Sequence, residues 1–257
     1  MKVLVCFKIV HDENELAVNP DKTIDDSKAS YVISPYDCNA VGAAMNVAAL
    51  WEGSVVIAAT VGGERVENGK MKKSILSRGP SELYAVKGDS LDNADSITLA
   101  STLKSLIEKI GGVDLVICGE GSADVYSQQT GNMLGILMEL PTVNSVSAIC
   151  SADDHSICVE RSGGEGVEVL SLSLPAVISV NSDICIPKIP SMKDILAAGK
   201  KPSTVYAQDA LDAAKYDGIT AVSVKAPEST ERKQIVIKGD GEDQVAEFYA
   251  NIRKALA

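Results

Sequence analysis

The sequence predicts an α/β fold built on a mostly parallel sheet, because apolar runs of strand length alternate with amphipathic segments of helix length. Composition points the same way. Aromatic residues make up only 4% of the 257 residues, so the core has to consist of Val, Ile, Leu and Ala, which are typical of parallel strands covered by helices on both faces. A chain of this length buries about three-quarters of its unfolded surface, enough for one large domain or a domain with an appendage.

Residues 1–140 supply the alternating part of the pattern. Val3–Phe7 is predicted as a strand because it is an uncharged run rich in Val. Asp37–Trp51 is predicted as a helix, since its apolar residues recur every three to four positions and Asp37 can cap its start. The same alternation continues with the strands Val55–Val61, Glu82–Val86 and Val113–Cys118 and the helices Asn68–Ser77, Asp92–Lys109 and Gln128–Glu139. Such an order is typical of parallel strands joined by right-handed crossovers.

The pattern changes after residue 150. Ser156–Arg161 and Val167–Leu172 flank the turn sequence SGGEG, which predicts an antiparallel hairpin added to the sheet. Leu174–Val180 is predicted as a further strand. Pro187 and Pro190 require extended backbone, so the segment around them is predicted as an exposed loop that leads into a short helix.

The last part of the chain is predicted to be an arm. Residues 203–238 show little periodicity, with one strand expected at Gln234–Lys238. Asp240–Leu256 is predicted as an amphipathic helix, and its apolar side comprises Val245, Phe248, Ile252 and Leu256. This side packs either on the domain itself or on a partner, and the sequence leaves both open.

Charge and cysteine usage exclude several classes of function. Asp and Glu outnumber Lys and Arg by 35 to 24, a net charge of −11, which argues against nucleic-acid binding. No apolar run approaches the roughly 18 residues that cross a bilayer, so no membrane insertion is expected. The six cysteines and the two histidines, His11 and His155, lack the spacing of metal ligands. We therefore expect no metal site and reduced thiols in a cytoplasmic protein.

The ligand site is expected beyond the carboxyl ends of the parallel strands. The first strand lacks a glycine-rich turn, which excludes the common dinucleotide and phosphate-loop motifs. The stretch after Cys118 is more informative, since Gly119 and Gly121 allow a tight turn and polar residues lead into a helix start, whose N–H groups suit a nucleotide phosphate. The alternative is a helix that Ser127 or Asp124 caps without any ligand.

Catalytic constellations are weak in this sequence. No serine lies in a GxSxG motif and no cysteine has a histidine beside it, so a binding or carrier role is favoured over a stand-alone enzyme. The pair Lys200 and Lys201 either docks an acidic partner or stabilises the C-terminal end of a helix.

Several stretches together resemble the β subunit of electron transfer flavoproteins, most closely the Fix type of anaerobic carnitine-linked and nitrogen-fixation-linked electron chains. They cover essentially the whole chain. The stretches are KVLVCFK at Lys2–Lys8, ISPYDCNAV at Ile33–Val41, SRGPSELYAV at Ser77–Val86, GEGSADVYSQQTGNM at Gly119–Met133, and LPAVISV followed by IPKIPSMKDILAAGKKP.

The resemblance implies a Rossmann-like domain over residues 1–190, a partner-docking loop and short helix over 191–202, and a C-terminal arm over 203–257 that packs on a homologous α subunit. That α subunit holds FAD, while the β subunit binds AMP or a second FAD. The pair is expected to carry electrons between dehydrogenases or NADH and a quinone-, ferredoxin- or acyl-CoA-linked acceptor, so an acyl-CoA dehydrogenase-like or quinone-linked redox partner is implied as well.

The site residues implied by the resemblance lie at successive strand ends and helix starts. For the nucleotide they are Cys6, Ser34, Pro35, Tyr36, Asp37, Val61, Val125, Tyr126, Ser127, Gln128, Gln129, Thr130, Gly131, Asn132, Met133 and Leu134. For docking they are Met192, which replaces the family's leucine, and Ile195. The chain departs from the family pattern at Ser34, where an asparagine is usual, and at Val125–Gln128, where the usual run is rich in acidic residues.

Two other classes of protein share parts of this pattern. A nucleotide-hydrolysing enzyme of the PP-loop kind needs an SGGxDS loop after the first strand, and Lys8–Asp12 lacks its glycines. A free-standing adenine-nucleotide sensor of the universal-stress type is the remaining alternative, although such a protein has no need of a long C-terminal arm.

Overall fold

The computed structural model describes residues 1–164, 166–214, 216, 219, 221–228 and 234–256. The strands within them are β1 Lys2–Cys6, β2 Ile9–His11, β3 Ala17–Val18, β4 Ile24–Asp25, β5 Tyr31–Ile33, β6 Val55–Gly62, β7 Glu82–Lys87, β8 Leu115–Gly119, β9 Thr142–Ala152, β10 Ser156–Gly163, β11 Gly166–Ser173, β12 Ala176–Val180 and β13 Ser203–Ala207. The α-helices are α1 Pro35–Ala48, α2 Gly69–Leu76, α3 Ser96–Lys109, α4 Thr130–Leu137, α5 Met192–Ala198 and α6 Glu242–Leu256.

One large sheet organises the chain. Its nine strands lie in the order β11-β10-β9-β12-β8-β1-β6-β7-β13. Every neighbouring pair in the series β9-β12-β8-β1-β6-β7-β13 is parallel, while β10 pairs antiparallel with both β9 and β11. The chain proceeds from β1 towards β7 and returns to the other side of β1 with β8. The strand order therefore reverses between β1 and β8, which is where open α/β sheets bind ligands.

Helices cover both faces of this sheet. Side chains alternate along β1, so Val5 faces the apolar layer that includes α1 and α2, whereas Leu4 faces the layer with α3 and α4. Leu106 and Leu134 are fully buried in the second layer. The predicted Rossmann-like α/β fold, with its hairpin and terminal helix, is confirmed.

Several strands differ from the prediction. β9 and the two short ladders β2–β5 and β3–β4 were not predicted, because small polar residues interrupt the apolar pattern in this part of the sequence. β13 lies in a segment predicted to be irregular, and it extends the sheet by pairing with β7. The strand predicted at Gln234–Lys238 is wrong: this segment has no regular structure, and Val236 is 77% exposed. A strand-like sequence forms no strand without a neighbour to bond.

The segment around α5 is fixed to the end of α2. Ser191 caps α5 through a capping box with Asp194. The Lys201 ammonium donates hydrogen bonds to the carbonyls of Leu76, Gly79 and Pro80 at 2.8, 3.0 and 2.6 Å. Of the two roles predicted for the lysine pair, Lys201 therefore has the second one, because Leu76 is the last residue of α2.

The terminal helix leaves its apolar side open in the single chain. Phe248 is 57% exposed and Tyr249 is 64% exposed, and Val245 beside them is exposed as well. Among the residues described, no helix is long and apolar enough to span a bilayer.

Candidate functional site

A cavity opens at the carboxyl ends of β1, β6 and β8. Its volume is about 140 Å³, smaller than that of most cofactor sites, and it widens into an open mouth. The strand ends contribute residues 6–9, 61, 62, 65, 66 and 118–122 to its wall, and the loop before α3, the first half of α3 and the loop before α4 complete it. The cavity therefore lies at the reversal of strand order.

Many of the residues proposed from the resemblance line this cavity, and others do not. The lining members are Cys6, Asp37, Val61, Val125, Ser127, Gln128, Gln129, Thr130 and Gly131. The members outside the lining are Ser34, Pro35, Tyr36, Tyr126, Asn132, Met133 and Leu134. Leu134 is fully buried in the core between α4 and the sheet, where its packing accounts for its apolar character.

The start of α4 faces the cavity without a side-chain cap. Gln129 precedes the helix, and its side chain makes no capping hydrogen bond. The two residues predicted as possible caps have other partners: Asp124 forms an ion pair with Lys8 at 2.7 Å, and the Ser127 hydroxyl lies 3.1 Å from that of Ser96. The first N–H groups of α4 are thus left for a ligand, and capping by Ser127 or Asp124 is not what this loop shows.

At three glycines of the site, the backbone lies against neighbouring residues too closely for a side chain. A β-carbon at Gly119 would lie 2.6 Å from an Asp37 carboxylate oxygen, and one at Gly131 would lie 2.2 Å from the Ser179 hydroxyl. At Gly121 it would meet the Tyr126 ring at 2.5 Å. No side chain fits at these positions without displacing its neighbours, so the loop and α4 lie as close to the sheet as the backbone permits.

The loop before α4 is tied down by an aromatic contact. The Tyr126 ring lies 5.1 Å from the ring of Tyr36, between centroids. Its hydroxyl donates a 2.8 Å hydrogen bond to Glu120, and this bond, with some burial, raises the pKa of Tyr126 to about 12. Tyr36 and Tyr126 therefore stabilise the loop from outside the cavity.

Asp37 differs from its predicted role. α1 begins two residues earlier, at Pro35, so Asp37 lies inside the first turn and does not cap it. Its carboxylate accepts a 2.7 Å hydrogen bond from the Lys8 N–H and also bonds the backbone of Gly119. Asp37 thus fastens the ends of β1 and β8 to α1. The Ser34 hydroxyl, which precedes the helix, is buried and has no partner among the described residues.

Burial raises the pKa of Asp37 to about 7. Because this value lies above that of the unfolded chain, the folded state binds a proton that the unfolded state has lost, and stability falls as pH rises towards and through 7. We expect the free energy of unfolding to decrease between pH 5 and pH 8 by up to about 3 kcal/mol, because only the part of the pKa shift that lies above pH 5 falls in this window. Urea unfolding at both pH values should show a smaller decrease for Asp37→Asn. An equal decrease in both proteins would contradict this prediction.

Two cations of the site, Lys8 and Arg65, were not predicted from the sequence. Both line the cavity, and each is held by a carboxylate, Lys8 by Asp124 and Arg65 by Asp92. A signal for them existed: Lys8 follows the first strand, and Arg65 comes shortly after the glycines that end β6. Positions just beyond strand ends are those at which a parallel sheet presents side chains to a ligand.

Thiols and apolar side chains form one part of the cavity lining, here called the apolar floor. Cys6 and Cys118 lie at its base at the ends of neighbouring strands, and a hydrogen bond between them, together with burial, raises the pKa of Cys6 well above its usual range. Leu91, Leu99 and Leu103 extend this apolar floor. In the described part of the chain, no three of His, Cys, Asp or Glu lie close enough to hold a metal ion.

The chain matches one protein-family model. The match spans residues 21–211 of the 257, and so it includes β6, β8, α4 and α5 but not β1 with Cys6 and Lys8. The model describes the electron transfer flavoprotein domain.

Proposed function

The chain belongs to the electron transfer flavoprotein family, and from this premise we propose that it is a β subunit of the Fix type. In this role it forms a heterodimer with an α subunit, and the pair carries electrons between dehydrogenases or NADH and a quinone-, ferredoxin- or acyl-CoA-linked acceptor. The six cysteines are free thiols, which suits the reducing cytoplasm in which we propose that the protein works.

An adenine nucleotide, AMP or a second FAD, binds in the cavity at the strand ends. The observation that carries this proposal is the uncapped start of α4 facing the cavity at the carboxyl ends of the strands. The Thr130 and Gly131 N–H groups would hold a phosphate there, with Lys8 beside them, and the apolar floor with Leu99 and Leu103 would hold a flat ring. The described residues therefore fit a nucleotide. A bound FAD would supply the one- and two-electron chemistry that amino-acid side chains lack.

The residues that line the cavity determine which interactions can hold such a nucleotide. Phe7 is the aromatic residue of the cavity wall, so ring stacking contributes little, and the backbone at the glycines contributes more. Asp37 keeps the ends of β1 and β8 together and thereby sets the width of the cavity. The Cys6 thiol, whose pKa is raised well above its usual range, adds no negative charge beside an anionic ligand.

The segment 191–202 is proposed as the docking site for the redox partner. Met192 is 72% exposed at the start of α5, and Ile195 and Leu196 on the same short helix are exposed too. A flexible, apolar methionine suits a surface that must fit a partner. Lys201 holds this segment to the end of α2, within the nucleotide-binding domain of residues 1–190, and the Ser191 capping box fixes the start of α5.

Replacing Met192 with Ala should slow electron transfer to the partner dehydrogenase or quinone-linked enzyme about tenfold, because an exposed anchor that becomes buried is worth 1–2 kcal/mol. The nucleotide content should stay unchanged. Stopped-flow reduction of the heterodimer by the partner measures this effect. The control is Leu50→Ala, since Leu50 is similarly exposed but lies just beyond the end of α1. Equal rates in the two variants would contradict the docking assignment.

The arm of residues 203–257 is proposed to pack on the α subunit through the apolar side of α6. Exposed Val245 and Phe248 give this helix a surface that the chain alone leaves uncovered. The function as a whole is tested by purifying the chain with an α subunit and extracting the nucleotides. An adenine nucleotide should be released, and its absence would contradict the proposal.

A further inference from the structure

Two cysteines lie opposite each other on the neighbouring strands β9 and β10. Cys158 pairs with Ser151 and the next residue, Val159, pairs with Ile149. Cys150 is therefore an extra residue in β9 without a partner of its own. In such a β-bulge, two residues of one strand oppose a single residue of the other. Cys150 and Ser151 thus both stand opposite Cys158.

The two thiols point to the same face of the sheet. Ile157 and Val159 of β10 are fully buried in the core. Because side chains alternate along a strand, Cys158 and Glu160 point to the other face. The Cys150 thiol donates a 3.7 Å hydrogen bond to the Glu160 carboxylate, which places this thiol on that face as well. Cys150 is exposed and Cys158 is half-buried, so the pair is open to solvent.

The spacing of this pair suits a disulfide bond. Opposed residues of antiparallel strands have β-carbons about 4.5–5.5 Å apart, and a disulfide needs about 3.5–4.5 Å. A small movement closes this gap, and a bulge permits it because the extra residue stands outside the regular ladder. Partial desolvation raises the pKa of Cys150, and the Glu160 carboxylate and the Cys158 thiol beside it raise this pKa further. The two sulfurs are therefore close enough to influence each other.

The other four cysteines lack either a partner or access to solvent. Cys6 and Cys118 are neighbours, but both are buried. Cys38 is buried too, and Cys185 is half-buried with its thiol bonded to the Asn39 carbonyl at 3.4 Å. The pair on β9 and β10 is thus the one that combines proximity with access.

We propose that Cys150 and Cys158 form a redox-sensitive modification site, at which a peroxide converts the two thiols into a cross-strand disulfide. The Cys150 thiolate attacks one oxygen of H₂O₂, the O–O bond breaks, and a water leaves a sulfenic acid on Cys150. The Cys158 sulfur then attacks the Cys150 sulfur, the S–O bond breaks, and a second water leaves. The two sulfurs together lose the two electrons that reduce the peroxide. This inference is independent of the proposed nucleotide site.

The test follows the disulfide by mass spectrometry. The full-length chain, purified with the α subunit proposed for it, is treated with hydrogen peroxide, its remaining thiols are blocked, and it is cleaved beside Asp153 and Asp154. These residues lie between the two cysteines, so only a disulfide keeps the two peptides joined. The peptides should be joined after oxidation and separate again after treatment with dithiothreitol. In Cys158→Ser, Cys150 should carry a sulfenic or sulfinic acid instead.

A charge variant tests which thiol attacks the peroxide. The Glu160 carboxylate disfavours the Cys150 thiolate, so Glu160→Gln should speed disulfide formation about twofold. The matched control is Glu168→Gln, because Glu168 pairs with Arg161, which alternation places on the opposite face of β10. This control should leave the rate unchanged.

Two results would contradict the proposal. If peroxide leaves the two peptides separate, or joins other cysteines of the chain instead, the inference is overturned. Equal rates in Glu160→Gln and Glu168→Gln would overturn the assignment of Cys150 as the attacking thiol. Neither result bears on nucleotide binding, which is measured separately.

Discussion

Gly131→Ala should lower the affinity for AMP by about tenfold or more and reduce the free energy of unfolding by about 1–3 kcal/mol. The new β-carbon would lie 2.2 Å from the Ser179 hydroxyl of β12, a distance that no packed side chain tolerates. Because Ser179 is buried and its hydroxyl has little room to rotate, we expect α4 to move away from the sheet. Its first N–H groups move with it, and the phosphate contact proposed for them is lost. Calorimetric titration with AMP and urea unfolding measure the two effects.

A second substitution tests whether crowding by the new β-carbon causes the loss of stability and of AMP affinity. In Gly131→Ala, Ser179→Ala the clashing oxygen is removed, and the next atom, the Cys118 β-carbon, lies 3.5 Å away, an ordinary contact. Both the stability and the AMP affinity should return to near the wild-type values. If Gly131→Ala destabilises the protein and leaves AMP binding unchanged, the start of α4 does not belong to the nucleotide site.

Phe248→Asp should weaken the heterodimer by about a hundredfold or more, because it replaces a large aromatic anchor with a charge that the interface would bury without a partner. Phe248 lies on the exposed apolar side of α6, next to Val245 and Ile252. Analytical ultracentrifugation of the variant with the α subunit measures the loss. The nucleotide cavity is built from other elements, so AMP binding by the variant should persist.

The control for this change carries the same charge on the same helix. Ala250 is an exposed residue of α6 two positions after Phe248, about 200° around the helix. Ala250→Asp should leave the heterodimer intact within a few-fold, since its side faces away from the proposed interface. If both variants dissociate alike, or neither does, α6 does not pack on the α subunit through its apolar side.

The central strands could be predicted from the sequence because both of their sides are buried. β1, β8 and β12 are short apolar runs, and each lies between two layers of helices. β9 and β13 escaped prediction since they lie nearer the sheet edges, where the partly exposed side accepts polar residues. Gln234–Lys238 shows the opposite error. Its polar and apolar residues alternate as in a strand, yet no strand pairs with it in the described part of the chain.

Only those parts of the site that depend on a single strand end could be predicted from the sequence. The glycines after β8 indicated a turn and a helix start, and both are present. That Lys8 and Arg65 line the same cavity depends on the order β8-β1-β6, and nothing local in the sequence specifies which strands are neighbours. Asp37 was assigned as a cap because its side chain suits one. The proline two positions earlier begins the helix instead, and Asp37 bonds the strand ends.

Counting the nucleotides of the purified heterodimer tests the central claim most directly. The complex of this chain with its α subunit is denatured, and flavin and AMP are quantified per heterodimer by absorbance and chromatography. We expect one FAD with one AMP, or two FAD, and a loss of one of these nucleotides in the Gly131→Ala complex. A heterodimer with one FAD and no further adenine nucleotide, in wild type and variant alike, would contradict it.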